Sequence, residues 1–239
     1  MRVALLGYGK MGKAIEQIAL NTGHEIVLRA GIENPEELTI ENLQKADVAI
    51  EFTGPESAFH HLQLCFEAGI PVVCGSTGWL RQYDEAKNLC NHKKGGLLYA
   101  SNFSLGVNLF FELNKRLAEM MAQYTQYKVS MTEIHHTAKL DAPSGTAITL
   151  AEQIIEKIPQ LSGWAVAEDA NATQLSIESK RINPAPGTHT IRYVSEIDTI
   201  TIEHEAHSRQ GFAAGAVMAA EFLVGKKGVF SMKDVLNLV

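Results

Sequence analysis

Arg2-Val3-Ala4-Leu5-Leu6-Gly7-Tyr8-Gly9-Lys10-Met11-Gly12 opens the chain with a short apolar run that ends in three spaced glycines. Behind it, Met11, Ala14, Ile15, Ile18 and Ala19 recur at helical spacing as far as Gly23. A strand that turns through Gly-x-Gly-x-x-Gly into a helix is a dinucleotide fingerprint. Gly7 makes the tight turn, Gly9 lets backbone approach a pyrophosphate, and Gly12 lets helix and strand pack closely. The helix start offers unpaired N–H groups to phosphate oxygens. His24 to Ala30 then alternates as a second strand, and Glu33 stands twenty-one residues beyond Gly12, where a carboxylate accepts from ribose hydroxyls. Gly7, Tyr8, Gly9, Lys10, Met11, Gly12 and Glu33 are therefore candidate contacts for NADH or NADPH. Asn34 follows where an arginine would better suit a 2′-phosphate, which tilts toward NADH; Lys10 and Arg29 leave NADPH open.

The alternation continues outward. Ala46–Phe52 reads as a third strand, Ser57–Ala68 as a helix, Pro71–Cys74 as a strand, Tyr83–Asn91 as a helix and Leu97–Ala100 as a fifth strand. Strands alternating with helices predict a parallel sheet covered on both faces. Ligands of such sheets bind at the C-terminal ends of the strands, which adds Gly75, Ser76, Thr77, Ala100, Ser101, Asn102 and Phe103 as candidate cofactor contacts.

After Asn102 the rhythm changes. Leu105–Tyr124 predicts a long helix, Val129–Ile134 a strand, Ser144–Ile158 a helix, and Ser162–Asn171 is a polar stretch. Strands follow at Gln174–Ser179, Gly187–Tyr193 and Thr199–Glu205, then a helix of small residues at Ala213–Val224. The expected fold is α/β: a Rossmann-type doubly wound parallel sheet with a second α+β domain built on a mixed sheet. Residues 1–103, completed by 211–239, would form the dinucleotide-binding domain. Residues 104–210 would bind substrate and mediate oligomerisation.

An apolar fraction of 46% and a charged fraction of 20% are those of an ordinary globular protein. A net charge of −6 argues against nucleic acid or an anionic membrane surface as partner. No apolar run reaches membrane-spanning length, and Gly7 interrupts the first one too early for a secretory signal. Cys65, Cys74 and Cys90 form no C-x-x-C pair, so reduced thiols in a cytoplasmic protein are expected, with neither a disulfide framework nor a metal site.

Glu133-Ile134-His135-His136-Thr137-Ala138-Lys139-Leu140-Asp141-Ala142-Pro143-Ser144-Gly145-Thr146-Ala147 is the densest chemical segment. Pro143 suits a first-turn position, and Ser144, Gly145 and Thr146 would present backbone N–H groups at a helix start, able to hold a carboxylate. Lys139 supplies a local positive charge, and His135 or His136 can move a proton near neutral pH. The same residues also suit a plain capped helix start. His204-Glu205-Ala206-His207 lies on an expected strand whose alternation sends its histidines to opposite sides, and His60-His61 is expected on a helix surface.

This segment resembles the dihydrodipicolinate reductase signature E-x-H-x-x-x-K-x-D-x-P-S-G-T-A, with every fixed position present from Glu133 to Ala147. Further matching stretches are Gly7 to Gly12, Glu51-Phe52-Thr53-x-Pro55-Glu56, Gly75 to Gly78, Ala100 to Asn108 and Ser208-Arg209 with Phe212-Ala213. Ser130 stands where the family motif usually begins with an acidic residue, and the 193–199 region is shorter than in longer members. The resemblance implies NAD(P)H-dependent reduction of a small cyclic dicarboxylate in lysine and diaminopimelate biosynthesis. It implies His135 as general acid or base and Lys139 as cationic proton donor. His136, Gly145 and Thr146 would bind carboxylate beside Ser144, Arg209 would sit near the hinge as a cofactor contact within reach of cofactor or substrate, and the assembly would be a homotetramer.

Overall fold

The computed structural model describes residues 1–208 and 210–238. Two compact units emerge: Met1–Leu105 with Gln210–Val239, and Gly106–Arg209. In chain order the first unit supplies β1 (Arg2–Leu6), α1 (Lys10–Asn21), β2 (Glu25–Ala30), a short α2 (Ile40–Leu43) and β3 (Val48–Glu51). It continues with α3 (Ala58–Ala68), β4 (Val72–Cys74), α4 (Tyr83–His92) and β5 (Gly96–Tyr99). The second contributes α5 (Leu105–Met121), β6 (Lys128–His135), α6 (Gly145–Lys157), β7 (Gly163–Val166), β8 (Gln174–Arg181), β9 (Gly187–Val194) and β10 (Thr199–Ala206). The chain then completes the first unit with α7 (Gln210–Leu223), β11 (Gly228–Phe230) and α8 (Met232–Leu236).

In the first unit, six parallel strands run in the order β11-β5-β4-β3-β1-β2. β3 and β4 are buried throughout and β1 at all but its first residue, as strands covered on both faces must be. One face packs on Leu43 of α2, on Phe59, Leu62 and Phe66 of α3, and on Ala86 and Cys90 of α4. The other packs on Ile15 and Ala19 of α1, the small residues of α7, and Met232 of α8. The chain moves from β1 outward to β2, then crosses to β3 on the other side, so β1 and β3 flank the topological switch point.

Sheet order in the second unit is β10-β9-β6-β8-β7, with β6 antiparallel to β9 and parallel to β8. Its inner face carries Met131, Leu175, Ile177, Ile191 and Tyr193 against Phe110, Ala118 and Met121 of α5 and Leu150, Ala151 and Ile154 of α6. The fully buried Asn114 ties the two helices together, donating to the Leu150 carbonyl at 3.1 Å and to Gln153 Oε1 at 3.0 Å.

The doubly wound sheet and the mixed sheet are the expected fold. Two strands depart from the sequence expectations. β7 forms inside the polar stretch 162–171, paired with β8 through Gly163–Val166. β11 extends the parallel sheet beside β5 and was not foreseen. Each has only three or four residues, too few to carry a periodic pattern.

Candidate active site

The three glycines at the end of β1 have distinct surroundings. Gly7 has φ +96°, and a Cβ there would lie 2.2 Å from the Phe52 carbonyl oxygen. A Cβ on Gly12 would lie 2.2 Å from the carbonyl oxygen of Gly7 itself. A Cβ on Gly9 would meet nothing within 4 Å. Turn and packing therefore account for Gly7 and Gly12, while Gly9 faces open space, as a backbone awaiting a phosphate should. Gly9 also caps α1 without any side-chain hydrogen bond, so no side chain of the cap consumes the helix-start N–H groups. These features fit a dinucleotide pyrophosphate.

Other candidates in the first unit divide by where their side chains go. Lys10, Glu33, Thr77 and Ser101 are exposed at strand ends, and Tyr8, Gly75, Ala100 and Asn102 are half-buried. Met11 packs at the margin of the apolar layer under α1. Phe103 is a core residue, 2% exposed. Ser76 is also turned inward: its hydroxyl donates to Glu51 at 3.0 Å and accepts from the Thr53 N–H at 2.8 Å. Only the backbones of Phe103 and Ser76 remain to meet a ligand. Asn34 closes its own loop, its Oδ1 accepting from the Gly31 N–H and its Nδ2 donating to the Arg29 carbonyl. Arg29 is paired with Glu16, which also accepts from the Tyr8 hydroxyl. Arg209 lies outside the described residues. One expectation is corrected in part: His60 is exposed, but His61 is half-buried and places Nδ1 3.7 Å from the buried Glu51 carboxylate.

Strand register builds the second unit's cluster. Along β6, alternation turns Met131, Glu133 and His135 to the covered face. Met131 pairs with Ile191 of β9 and Ile177 of β8, an apolar row. Two residues on, Glu133 pairs with His189 and Ser179, a polar row. The same inner face thus changes from core to chemistry as the strands near their ends.

Glu133 is fully buried among polar neighbours. Oε1 accepts from Arg181 Nη2 at 3.0 Å and from the Ser144 N–H at 3.1 Å. Oε2 lies 3.1 Å from His135 Nδ1 and 3.9 Å from His189 Nε2. The His135 approach is off the line of a hydrogen bond, so it acts electrostatically. Burial alone would raise the Glu133 carboxyl; His135, Ser144, Ser179 and Arg181 overcome it and hold the group well below the usual carboxylate range. The ring of His189 meets that of His135 edge-on at 5.2 Å, and its Nε2 lies 3.2 Å from the Ser144 hydroxyl. Burial first, then His135, pushes His189 down to about 4, so it is neutral at pH 7. Glu133, His135 and His189 stand close enough to share one cation. Arg181 Nη2 lies 3.0 Å from the same carboxylate and supplies positive charge there.

Ser144 is not the free donor that the sequence suggested. Its N–H goes to Glu133 and its hydroxyl caps the Ala147 N–H at 3.2 Å. Gly145, the first residue of α6, is exposed, and a Cβ there would meet nothing within 4 Å. Thr146 follows it, half-buried, as is His136 at the end of β6. Lys139 forms a 2.8 Å ion pair with Asp141. Arg181, which sequence reading passed over, also donates to the Asp141 carbonyl at 2.6 Å, and Asn183 holds Thr137 through both backbone and side chain. Segment 136–143 is thereby fastened from the end of β8. No sequence signal marks Arg181, Asn183 or His189, because pairing across the sheet alone brings them there.

The chain thus carries a glycine-turn parallel sheet that fits a dinucleotide, and a mixed sheet that buries a carboxylate–histidine cluster beside an open helix start. Comparison with known proteins gives the family. Residues 1–103 match the model for the dihydrodipicolinate reductase N-terminus and residues 106–236 that for its C-terminus. A 4-hydroxy-tetrahydrodipicolinate reductase from Christiangramia forsetii is 52% identical over 99% of this chain and 98% of its own length. One from Ralstonia nicotianae is 39% identical, covering 82% and 76%. The solved structure of a dipicolinate-bound dihydrodipicolinate reductase from Paenisporosarcina sp. TG-14 matches with a TM-score of 0.76 at 26% identity, over 100% of this chain and 99% of that one. This chain belongs to the dihydrodipicolinate reductase family. The activity that goes with it is NAD(P)H-dependent reduction in lysine biosynthesis.

Proposed function

We propose that the first unit binds NADH or NADPH through Gly7 to Gly12, Glu33, Gly75 to Thr77 and Ala100 to Phe103, and that the second unit binds the cyclic dicarboxylate and protonates it. Bound there, the reduced nicotinamide supplies the hydride. His136, Gly145 and Thr146 hold carboxylate at the start of α6, whose partial positive charge favours an anion. Lys139 draws the substrate: 4-hydroxy-tetrahydrodipicolinate loses its hydroxyl as water to give the unsaturated ring, and Lys139 with His135 delivers the proton that, together with the hydride, completes tetrahydrodipicolinate. Glu133 keeps His135 oriented with Nδ1 toward the carboxylate, leaving Nε2 for proton transfer.

One observation carries this reading: Gly145 opens α6 onto free space, while the residue before it is bonded to the Glu133 carboxylate beside His135. The Paenisporosarcina structure is named as holding dipicolinate, a planar ring with two carboxylates. Dipicolinate is expected to compete with substrate and not with NADH. Gly145→Val should weaken its binding at least tenfold by placing a branched side chain where the carboxylate enters. Equal inhibition of wild type and Gly145→Val would remove the helix start from the site.

NADH is the better cofactor on this reading. Glu33 repels a 2′-phosphate, and Asn34 and Arg29 are both engaged within the protein. We expect kcat/KM with NADH to equal or exceed that with NADPH, and Glu33→Ala to shift the ratio toward NADPH. A strong native preference for NADPH would overturn this.

The functional form is a homotetramer in the cytoplasm, without nucleic acid or membrane partners. Cys65, Cys74 and Cys90 are all unpaired and buried, as in a reducing compartment. Among the described residues β10 ends the second sheet with one edge of its eight residues unpaired, and Thr132, Ser176 and Thr190 make the sheet's outer face polar and half-exposed, suited to a partner sheet. Light scattering at micromolar concentration should give four times the monomer mass; a monomer would refute the assembly.

A further inference from the structure

Glu51, the last residue of β3, is fully buried and plays no part in the chemistry above. Its Oε1 accepts from the Thr53 N–H at 3.0 Å, from the Thr53 hydroxyl and from the Ser76 hydroxyl at 3.0 Å. Oε2 accepts from Cys74 Sγ at 3.0 Å, and His61 Nδ1 stands 3.7 Å from Oε1. A carboxylate is the one side chain that accepts at all its lone pairs and donates at none, which is what four converging donors require. Burying such a charge is costly unless it is bonded this fully.

The neighbourhood explains what the carboxylate is for. The next residue, Phe52, is the common wall of three loops. Its carbonyl limits Gly7, its ring lies where a Cβ on Gly75 would fall, at 2.2 Å, and the ring also packs on Phe103 at 5.6 Å. Glu51 reaches the loop after β4 through Ser76 and Cys74, and the turn after β3 through Thr53. The glycine turn, the 75–77 loop and the 100–103 loop therefore share the half-buried Phe52 as a wall, and the buried Glu51 beside it ties the Phe52–Thr53 turn to the 75–77 loop.

We infer that Glu51 is a positioning residue for the nicotinamide cofactor, holding the 75–77 loop and the Phe52–Thr53 turn in the one arrangement that the cofactor meets. The inference rests on the assignment of those loops to the cofactor. Glu51→Gln keeps the shape but replaces two acceptor sites with an N–H₂ group. KM for NADH should rise about tenfold, the scale of one lost buried hydrogen bond to a charged group. Saturating kcat should stay within about twofold, and inhibition by dipicolinate should be unchanged. Thr53→Val, which removes a single hydroxyl donor, should move KM for NADH in the same direction by a smaller factor and serves if Glu51→Gln does not fold. A merely structural role predicts a lower melting temperature with an unaltered KM, and that result in either folded variant overturns the inference. Thr77→Trp separates the two levels, because Thr77 is exposed at the loop tip. Should Thr77→Trp raise KM for NADH while Glu51→Gln does not, the positioning role alone fails. Should Thr77→Trp also leave KM unchanged, the loop does not meet the cofactor and both fail.

Discussion

Lys139→Ala and His135→Ala are each expected to lower kcat by roughly 10²–10⁴-fold, the range of a lost acid–base group, while NADH binding measured by fluorescence stays the same. His135 is 8% exposed and held beside Glu133. Lys139 sits four residues later on a loop fastened by Arg181 and Asn183, with Asp141 as its counter-ion. A buried imidazole and a half-buried ammonium at the same strand end can share the two tasks of drawing an anion and protonating it. Lys139→Arg separates them, because arginine keeps the charge but does not release a proton at neutral pH. It should restore substrate KM without restoring kcat. Full turnover by Lys139→Ala would remove it from the chemistry altogether.

The second large effect is on stability. Glu133→Ala would leave the Arg181 guanidinium, the Ser144 N–H and the neighbouring imidazoles around an empty position. Breaking a buried pair in this way costs about 3–5 kcal/mol, so urea or thermal melts should show a severe loss, with little activity in what still folds. The same cluster makes the protein acid-sensitive. His189 has a folded value pushed down to about 4 from an ordinary 6.5, so between those values the unfolded chain binds the proton and the folded chain does not. Stability therefore falls as pH drops from about 6.5 to about 4. Glu133, held low, adds its own loss only in stronger acid, as pH falls through its depressed folded value. His189→Gln should flatten the upper part of that decline. A wild-type stability that is level from pH 7 to pH 4 would contradict this account.

The first unit was legible because its signals are local. Three glycines within six residues mark the turn after β1, and strand–helix alternation at short spacing marks the sheet. β11 escaped notice because three residues carry no period, and His61 because a helical histidine looks the same in sequence whether it faces water or a carboxylate. In the second unit the segment 133–147 announced itself by density of polar groups and by its resemblance to a family signature. What each member does there was less visible. Ser144 reads as a helix-start donor, yet its N–H is spent on Glu133.

By itself, the sequence determined the two-part fold, the dinucleotide turn and the segment that carries His135, Lys139 and Gly145, because each depends on residues near one another in the chain. Only the tertiary structure decided that Glu133 joins His135, His189, Arg181 and Ser144, and that Glu51 joins Thr53, Cys74, Ser76 and His61. The physical reason is register. Strand pairing sets His189 and Ser179 opposite Glu133, and Cys74 opposite Glu51, across dozens of intervening residues. A one-residue slip in either sheet would turn these side chains to the other face and dissolve both clusters.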